Sequence, residues 1–145
     1  MYLGLYHLDL DKDYRMVVPA GFRELFAQGA YVTRGFEQNL LVISEQDFQE
    51  RYKQVAALNI TDPDARLLQR LLLGNAVRIE INASGQVLLP LELMAFAGLE
   101  KEIILVGQGD YFEVWAPAQW EKQSAILLDT STNAGRFAHL DLSLN

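Results

Sequence analysis

One short segment of this sequence combines a carboxylate and a guanidinium at a spacing typical of a turn. Asp11 precedes Arg15 by four positions with Lys12 between them, and Pro19 and Arg23 follow. Arg15 could form two hydrogen bonds to guanine O6 and N7 or bind a phosphate, and Lys12 could bind a phosphate. Asp11 could hold Arg15 in position or accept a hydrogen bond from a turn N–H group. From spacing alone, the simpler interpretation is a surface ion pair, which contributes less than about 1 kcal/mol.

Other residue types that could support catalysis or metal binding show no recognisable pattern. The sequence contains no cysteine, which excludes disulfides, thiolate zinc sites and a cysteine nucleophile. His7 and His139 have no partners at metal-ligand spacing, and the HExxH, GxSxG and phosphate-loop motifs do not occur. Gly107-Gln108-Gly109 is interpreted as a hairpin turn, because it precedes a predicted strand rather than a helix. We therefore expect no enzymatic activity, no metal, no cofactor and no small-molecule substrate.

The overall charge argues against a nucleic-acid partner, but it is distributed unevenly. The chain has 12 Lys and Arg residues against 19 Asp and Glu residues, a net charge of −7. DNA-binding surfaces are normally basic, because phosphate contacts supply much of the affinity. Residues 1–61 carry 6 basic and 8 acidic residues, whereas residues 74–145 carry 4 and 9. The acidic excess therefore lies mainly in the second part, which leaves room for a basic patch in the first.

The composition fits one compact domain with a single core. Half of the 145 residues are apolar, and no run approaches the roughly 18–20 apolar residues that a membrane span needs. Residues 1–4 carry no positive cluster ahead of an apolar stretch, so we expect no secretory signal. With the absence of cysteine, this predicts a cytoplasmic protein without a membrane partner.

The chain contains an internal duplication. A displacement of 71 positions aligns residues 8–11 with residues 79–82, and residues 16–19 with residues 87–90. A displacement of 72 positions aligns the later residues, so one single-residue insertion reconciles the two registers. The period is too long for a solenoid, and two copies indicate a pseudo-two-fold domain.

Each copy predicts the same order of elements. An alternating strand leads into a polar turn, and a short apolar run, residues 16–18 or 87–89, then ends at a proline. Pro19 and Pro90 are expected to start helices, because proline suits the first helical turn, and Gly29 and Gly98 are expected to end them. Two strands close each copy, and they are predicted at Ala30–Thr33, Asn39–Ile43, Ile103–Val106 and Tyr111–Trp115.

Three further helices are predicted from capping residues and prolines. Ser44 with Asp47 forms a capping pattern, and a second helix is expected to begin at Thr61 and end at Gly74. A third is expected near Pro117, where it would pack Trp120. The predicted organisation is a first half over residues 1–61, a linker helix over 62–74, a second half over 75–122 and a C-terminal tail of unknown role over 123–145.

In its motifs the sequence resembles the MraZ family. The resemblance is carried by residues 1–4, 10–23, 33–35, 58–66, 69–70, 97–99 and 112–115, in the family's order. It implies an α+β fold of two tandem β-rich SpoVT-AbrB-like units, interlocked as a pseudo-two-fold swapped-hairpin barrel with short flanking helices. It also implies a ring-shaped homo-oligomer that binds short direct repeats in double-stranded DNA. Such a protein would be nucleoid-associated and would repress the promoter of the division and cell-wall gene cluster.

The family hallmark is an Asp-x-x-x-Arg signature in both halves. The first maps onto Asp11 and Arg15 with Lys12 between them, and the second maps onto Asn82 and Gln86, where this sequence departs from the pattern. The resemblance implies that these five residues are the DNA-binding residues. Gln86 can hydrogen-bond a base or phosphate but supplies no charge, so its contact should be weaker and less salt-dependent. Either the first turn alone faces DNA, or this chain is a ring-forming interaction scaffold with reduced or lost DNA binding.

Overall fold

The structure, a computed structural model, describes residues 1–141, in which both sequence copies fold with the same order of elements. The first half contains β1 (Leu5–Asp9), β2 (Arg15–Val17), a 3-10 helix (Ala20–Phe26), β3 (Ala30–Arg34), β4 (Leu40–Ser44) and α1 (Glu45–Ala56). After α2 (Pro63–Leu72), the second half contains β5 (Val77–Ile79), β6 (Gln86–Leu88), α3 (Leu91–Ala97), β7 (Glu102–Gly107), β8 (Tyr111–Trp115) and α4 (Pro117–Leu127). A last helix, α5 (Thr130–Phe137), follows. None of the helices within residues 1–141 is long and apolar enough to cross a membrane.

Six strands form one sheet in which strands of the first half pair with strands of the second half. Its order is β1-β7-β8-β4-β3-β5, and every neighbouring pair is antiparallel. The first strand of each half pairs with the third strand of the other, with Leu5 opposite Val106 and Ala30 opposite Ile79. This order is unchanged when the halves are exchanged, as a pseudo-two-fold arrangement requires.

The sheet does not close within the described residues. β1 and β5 lie at its two edges, and β2 pairs only with β6 in a separate two-stranded ladder. The expected α+β class with two tandem units is confirmed. The finer expectation of a closed swapped-hairpin barrel is not, because no pairing joins the two edges of the sheet.

An aromatic cluster in the core joins the two halves. Phe22, which is 1% exposed, stacks on the fully buried Phe112 of β8 with ring centroids 5.1 Å apart. Tyr2 and Tyr6 meet the edge of Phe22 at 5.7 and 5.0 Å. Because Phe22 and Phe112 come from different halves, neither half completes this core by itself.

The helix predicted after Pro19 is a 3-10 helix rather than an α-helix. The N–H of Phe22 donates to the Pro19 carbonyl at 2.8 Å, a bond that spans three residues. Gly21 in its first turn lowers α-helix propensity, whereas the corresponding residue of the second half is Glu92. The corresponding segment of the second half is the regular helix α3, and Gly98 ends it at φ 68° as predicted.

The connecting helices follow the prediction closely. Ser44 caps α1, since its Oγ accepts the Asp47 N–H at 3.2 Å. Asp62 rather than Thr61 caps α2, because the Thr61 hydroxyl is engaged with Asn59 Oδ1 at 2.8 Å. The linker helix ends at Leu72, two residues before Gly74.

The C-terminal part of the described chain is helical. α4 begins at Pro117 as predicted, and its Trp120 meets Trp115 edge-to-face at 5.6 Å. Of the predicted tail over residues 123–145, the end of α4 and all of α5 are described, and residues 142–145 lie outside the described residues.

Candidate nucleic-acid interface

The first signature segment forms a turn that the Asp11 side chain builds. Asp11 Oδ1 accepts the N–H groups of Asp13 at 2.8 Å and Arg15 at 2.9 Å. The Asp11 backbone N–H also donates to the Arg15 carbonyl at 2.9 Å. Tyr14 completes the turn in the left-handed conformation, at φ 60°. Among residues 1–141, Arg15 forms no salt bridge, so the expected ion pair with Asp11 is absent. The exposed Arg15 side chain remains available to a partner.

The second signature segment folds in the same way with neutral residues. Asn82 Oδ1 accepts the N–H groups of Ser84 at 3.0 Å and Gln86 at 2.9 Å. Gly85 occupies the left-handed position at φ 76°, where the first turn has Tyr14. Asparagine preserves the turn because its amide oxygen accepts the same two backbone bonds as a carboxylate.

The strands that follow the turns present a narrow face to solvent. In the β2–β6 ladder, Arg15 lies opposite Leu88 and Val17 lies opposite Gln86. Met16 and Val87 between them are buried, at 0% and 1% exposure, because alternate side chains point to opposite sides of a strand. We call the outward set the ribbon face, and its members are Arg15, Val17, Gln86 and Leu88.

Two members of the ribbon face, Val17 and Leu88, are not among the site residues predicted from the sequence. Val17 is 46% exposed and Leu88 is 52% exposed, a high value for apolar residues within strands. The sequence predicts residues 16–18 only as an apolar run. Strict alternation within that run would have placed Val17 outside the core.

Three of the predicted site residues are linked across the two halves. Gln86 Nε2 donates to Asp11 Oδ2 at 3.2 Å, and Asn82 Nδ2 donates to Gln86 Oε1 at 3.2 Å. Both ends of the Gln86 amide therefore have partners within the protein. Arg15 belongs to the opposite end of the ladder, and Lys12 is exposed in the first turn.

Arg23, which was not among the predicted site residues, lies against the second turn. Its Nε donates to the Val18 carbonyl at 3.0 Å, and the Val18 N–H donates to the Gly85 carbonyl at 2.9 Å. The guanidinium carbon lies 2.8 Å from the point that a Gly85 Cβ would occupy. No local sequence signal places Arg23 there, because the contact joins one half to the other.

Side chains that could bind a metal ion are not clustered in the described part of the chain. Within residues 1–141, no group of three or more histidine, aspartate or glutamate side chains is placed to hold a metal ion.

Comparison with known proteins gives the same result for both halves. A family model described as "MraZ protein, putative antitoxin-like" matches residues 1–71 and again residues 72–140. The chain belongs to the MraZ family. The resemblance stated from the motifs is thereby confirmed.

Similar proteins are named Transcriptional regulator MraZ. The one from Thermomicrobium roseum is 39% identical over 88% of this chain and 89% of its own length. The relative from a Roseiflexus species is 34% identical over 95% of this chain and 94% of its own length. That from Nitrosomonas eutropha is 37% identical, covering 91% of this chain and 89% of the relative.

Proposed function

We propose that this chain is a transcriptional regulator that places the ribbon face in the major groove of DNA. The names of its MraZ relatives support the regulatory role. The observation that carries the DNA-binding proposal is the exposed two-stranded ladder with Arg15 at its end and no salt bridge to Arg15 within the described residues. The major groove admits a two-stranded β-ribbon, whose side chains can then reach the edges of the bases.

The residues of the two turns divide into contacting and positioning roles. Arg15 would form two hydrogen bonds to guanine O6 and N7, and Lys12 would bind a phosphate. Asp11 and Asn82 would act through the turns, because their side chains accept backbone N–H groups. Gln86 would have to exchange its bonds to Asp11 and Asn82 before it could read a base, so its contribution is smaller.

The apolar members of the ribbon face fit the same interface. Val17 and Leu88 expose methyl groups beside the polar ends of Gln86 and Arg15. Methyl groups of this kind contact the C5-methyl group of thymine in the major groove. A site with guanine and thymine contacts would give sequence preference without a strongly basic protein.

Assembly would compensate for the small charge of each subunit. Membership of the MraZ family supports a ring-shaped homo-oligomer that binds short direct repeats and represses the division and cell-wall gene cluster from a nucleoid-associated position. Several ribbons on one ring gain avidity through effective concentration, without any new contact. Acidic surfaces more than about 8–10 Å from the phosphates are largely screened at physiological salt.

A ring-forming scaffold without DNA binding is the second candidate function. The neutral Asn82 and Gln86 and the net charge of −7 favour it. This alternative expects normal oligomers that bind no duplex at any salt concentration.

Selection from a random duplex library, followed by titration across salt, tests the proposal. The wild-type chain should enrich a repeated sequence and bind it more tightly than a scrambled duplex. Arg15→Ala should weaken binding to the enriched duplex by about 1–3 kcal/mol and reduce the preference for that duplex over the scrambled one, as expected when a contact to a base is lost. Arg70→Ala is the matched control, since Arg70 is an exposed arginine on α2 outside the ribbon face.

Each outcome separates the two candidates. Unchanged affinity and unchanged sequence preference for Arg15→Ala would overturn the assigned interface. Normal oligomers with no enriched sequence and no duplex binding at low salt would support the scaffold instead.

A further inference from the structure

We propose that Arg23 is a further DNA-contacting cation, beside Arg15 and Lys12, which the first half supplies to the uncharged turn of the second half. This inference rests on the proposed function, because it needs the ribbon face to meet DNA. It addresses the departure of this chain from its family pattern, in which Gln86 stands at the arginine position of the second signature.

The position of Arg23 is set by contacts with both halves. Nε donates to the Val18 carbonyl at 3.0 Å, a partly buried bond that orients the guanidinium. Cζ and Nη2 lie 2.8 and 2.9 Å from the point where a Cβ on Gly85 would be. The guanidinium therefore lies against the second turn, in space that a side chain at residue 85 would occupy and that glycine leaves open.

The outer nitrogens of Arg23 are available to a ligand. Within residues 1–141, Nη1 and Nη2 have no hydrogen-bond or salt-bridge partner. A guanidinium that is already held through Nε loses little conformational freedom when its outer edge binds. That edge matches the oxygens of a phosphate, which accept two parallel hydrogen bonds from it.

The arrangement is not repeated at the first turn. The residue that corresponds to Arg23 in the second half is Met94, which is buried, and the residue that corresponds to Gly85 is Tyr14. The first turn has Arg15 instead. The ribbon thus carries one guanidinium at each end, Arg15 beside the first turn and Arg23 beside the second.

Charge removal at Arg23 provides the test. Arg23→Gln and Arg23→Lys are titrated, beside wild type, with the duplex selected for the wild-type chain and with a scrambled duplex. Arg23→Gln should lower the slope of log affinity against log salt by about 0.9 and weaken binding to both duplexes alike, as expected for a phosphate contact. Arg23→Lys should restore the slope. A purely structural role for Arg23 would leave the slope unchanged.

A second variant moves the guanidinium without removing its charge. Gly85→Asn suits the left-handed φ of 76°, but its Cβ would lie in the space of the guanidinium. It should weaken binding while the net charge stays the same. Urea unfolding of each variant without DNA establishes that the comparison is made between folded proteins.

The outcomes distinguish this inference from the proposed function. If Arg15→Ala weakens binding and reduces sequence preference while Arg23→Gln and Gly85→Asn bind like wild type, the inference on Arg23 is overturned and the proposed function stands. If the wild-type chain binds no duplex, the proposed function and this inference both fall. Weaker binding and reduced sequence preference for Arg15→Ala, together with a lower slope for Arg23→Gln that Arg23→Lys restores, support both.

Discussion

Gln86 Nε2 lies 3.2 Å from Asp11 Oδ2, so the altered signature residue of one half is bonded to the preserved signature carboxylate of the other. Asp11 uses its second oxygen, Oδ1, for two backbone N–H groups of its own turn. The two turns are therefore coupled through one carboxylate. A change at residue 86 is expected to affect the first turn as well as the second.

We predict that Asp11→Ala destabilises the protein more than Asp11→Asn does. Alanine removes the acceptor for the Asp13 and Arg15 N–H groups and should lower the free energy of unfolding by about 1 kcal/mol. Asparagine keeps the acceptor for these two backbone N–H groups, as Asn82 shows in the second turn, and loses only the hydrogen bond from Gln86 Nε2. Urea unfolding measures the stability, and DNA titration should show that Asp11→Asn retains binding. Equal defects in the two variants would contradict the turn-building role.

Gln86→Arg should strengthen DNA binding. An arginine would restore the arginine of the second signature, beside Asp11, and add one cation to the ribbon face. The slope of log affinity against log salt should rise by about 0.9 if the new side chain reaches a phosphate. Gln86→Leu is the control, because it has similar size and adds no charge. A slope for Gln86→Arg equal to that of wild type would place residue 86 outside the interface.

Phe22→Ala should cause the largest loss of stability among these substitutions. Phe22 is 1% exposed and packs on Phe112 at a centroid distance of 5.1 Å. Removing a buried phenyl group costs about 3–5 kcal/mol, because the cavity is only partly refilled. Phe36→Ala, at a side chain that is 71% exposed, is the control and should change the free energy of unfolding by less than about 0.5 kcal/mol. Similar losses at the two sites would refute the described core.

Glu113 on β8 is a partly buried carboxylate held by three side-chain donors. Its oxygens accept hydrogen bonds from Asn39 Nδ2 at 3.2 Å, Trp115 Nε1 at 3.1 Å and Gln108 Nε2 at 3.1 Å. Burial raises the pKa of Glu113 above its ordinary value, and the nearby charge of Glu37 acts in the same direction. The three hydrogen bonds lower the pKa but do not outweigh burial.

The raised pKa of Glu113 predicts that the contribution of this residue to the free energy of unfolding falls as pH rises. The folded state binds the Glu113 proton more tightly than the unfolded state, so the contribution is fully present below the ordinary pKa of 4.5 and is lost as pH rises through the folded value. Urea unfolding of wild type and Glu113→Gln at several pH values isolates it, since glutamine does not titrate. The free energy of unfolding of wild type, relative to the variant, should decrease with rising pH. A constant or increasing difference would contradict the assignment.

The sequence alone determined the local elements that surround the candidate interface. Pro90 precedes α3 and Gly98 ends it, and Ser44 caps α1. The polar residues after β1 and β5 form the two turns. These signals act over a few neighbouring residues, through side-chain hydrogen bonds to the backbone and through allowed φ values. The duplication was equally visible, because it repeats the same local signals after 71 positions.

Only the tertiary structure decided which segments meet. The repeat relates β1 to β5 and β2 to β6, but it does not determine that β1 pairs with β7 or that β2 pairs with β6. The contacts of Asp11 with Gln86 and of Arg23 with Gly85 join residues far apart in the chain. Such contacts form because the apolar faces of both halves are buried in one shared core. A local pattern of residues does not specify which distant segment it will pack against.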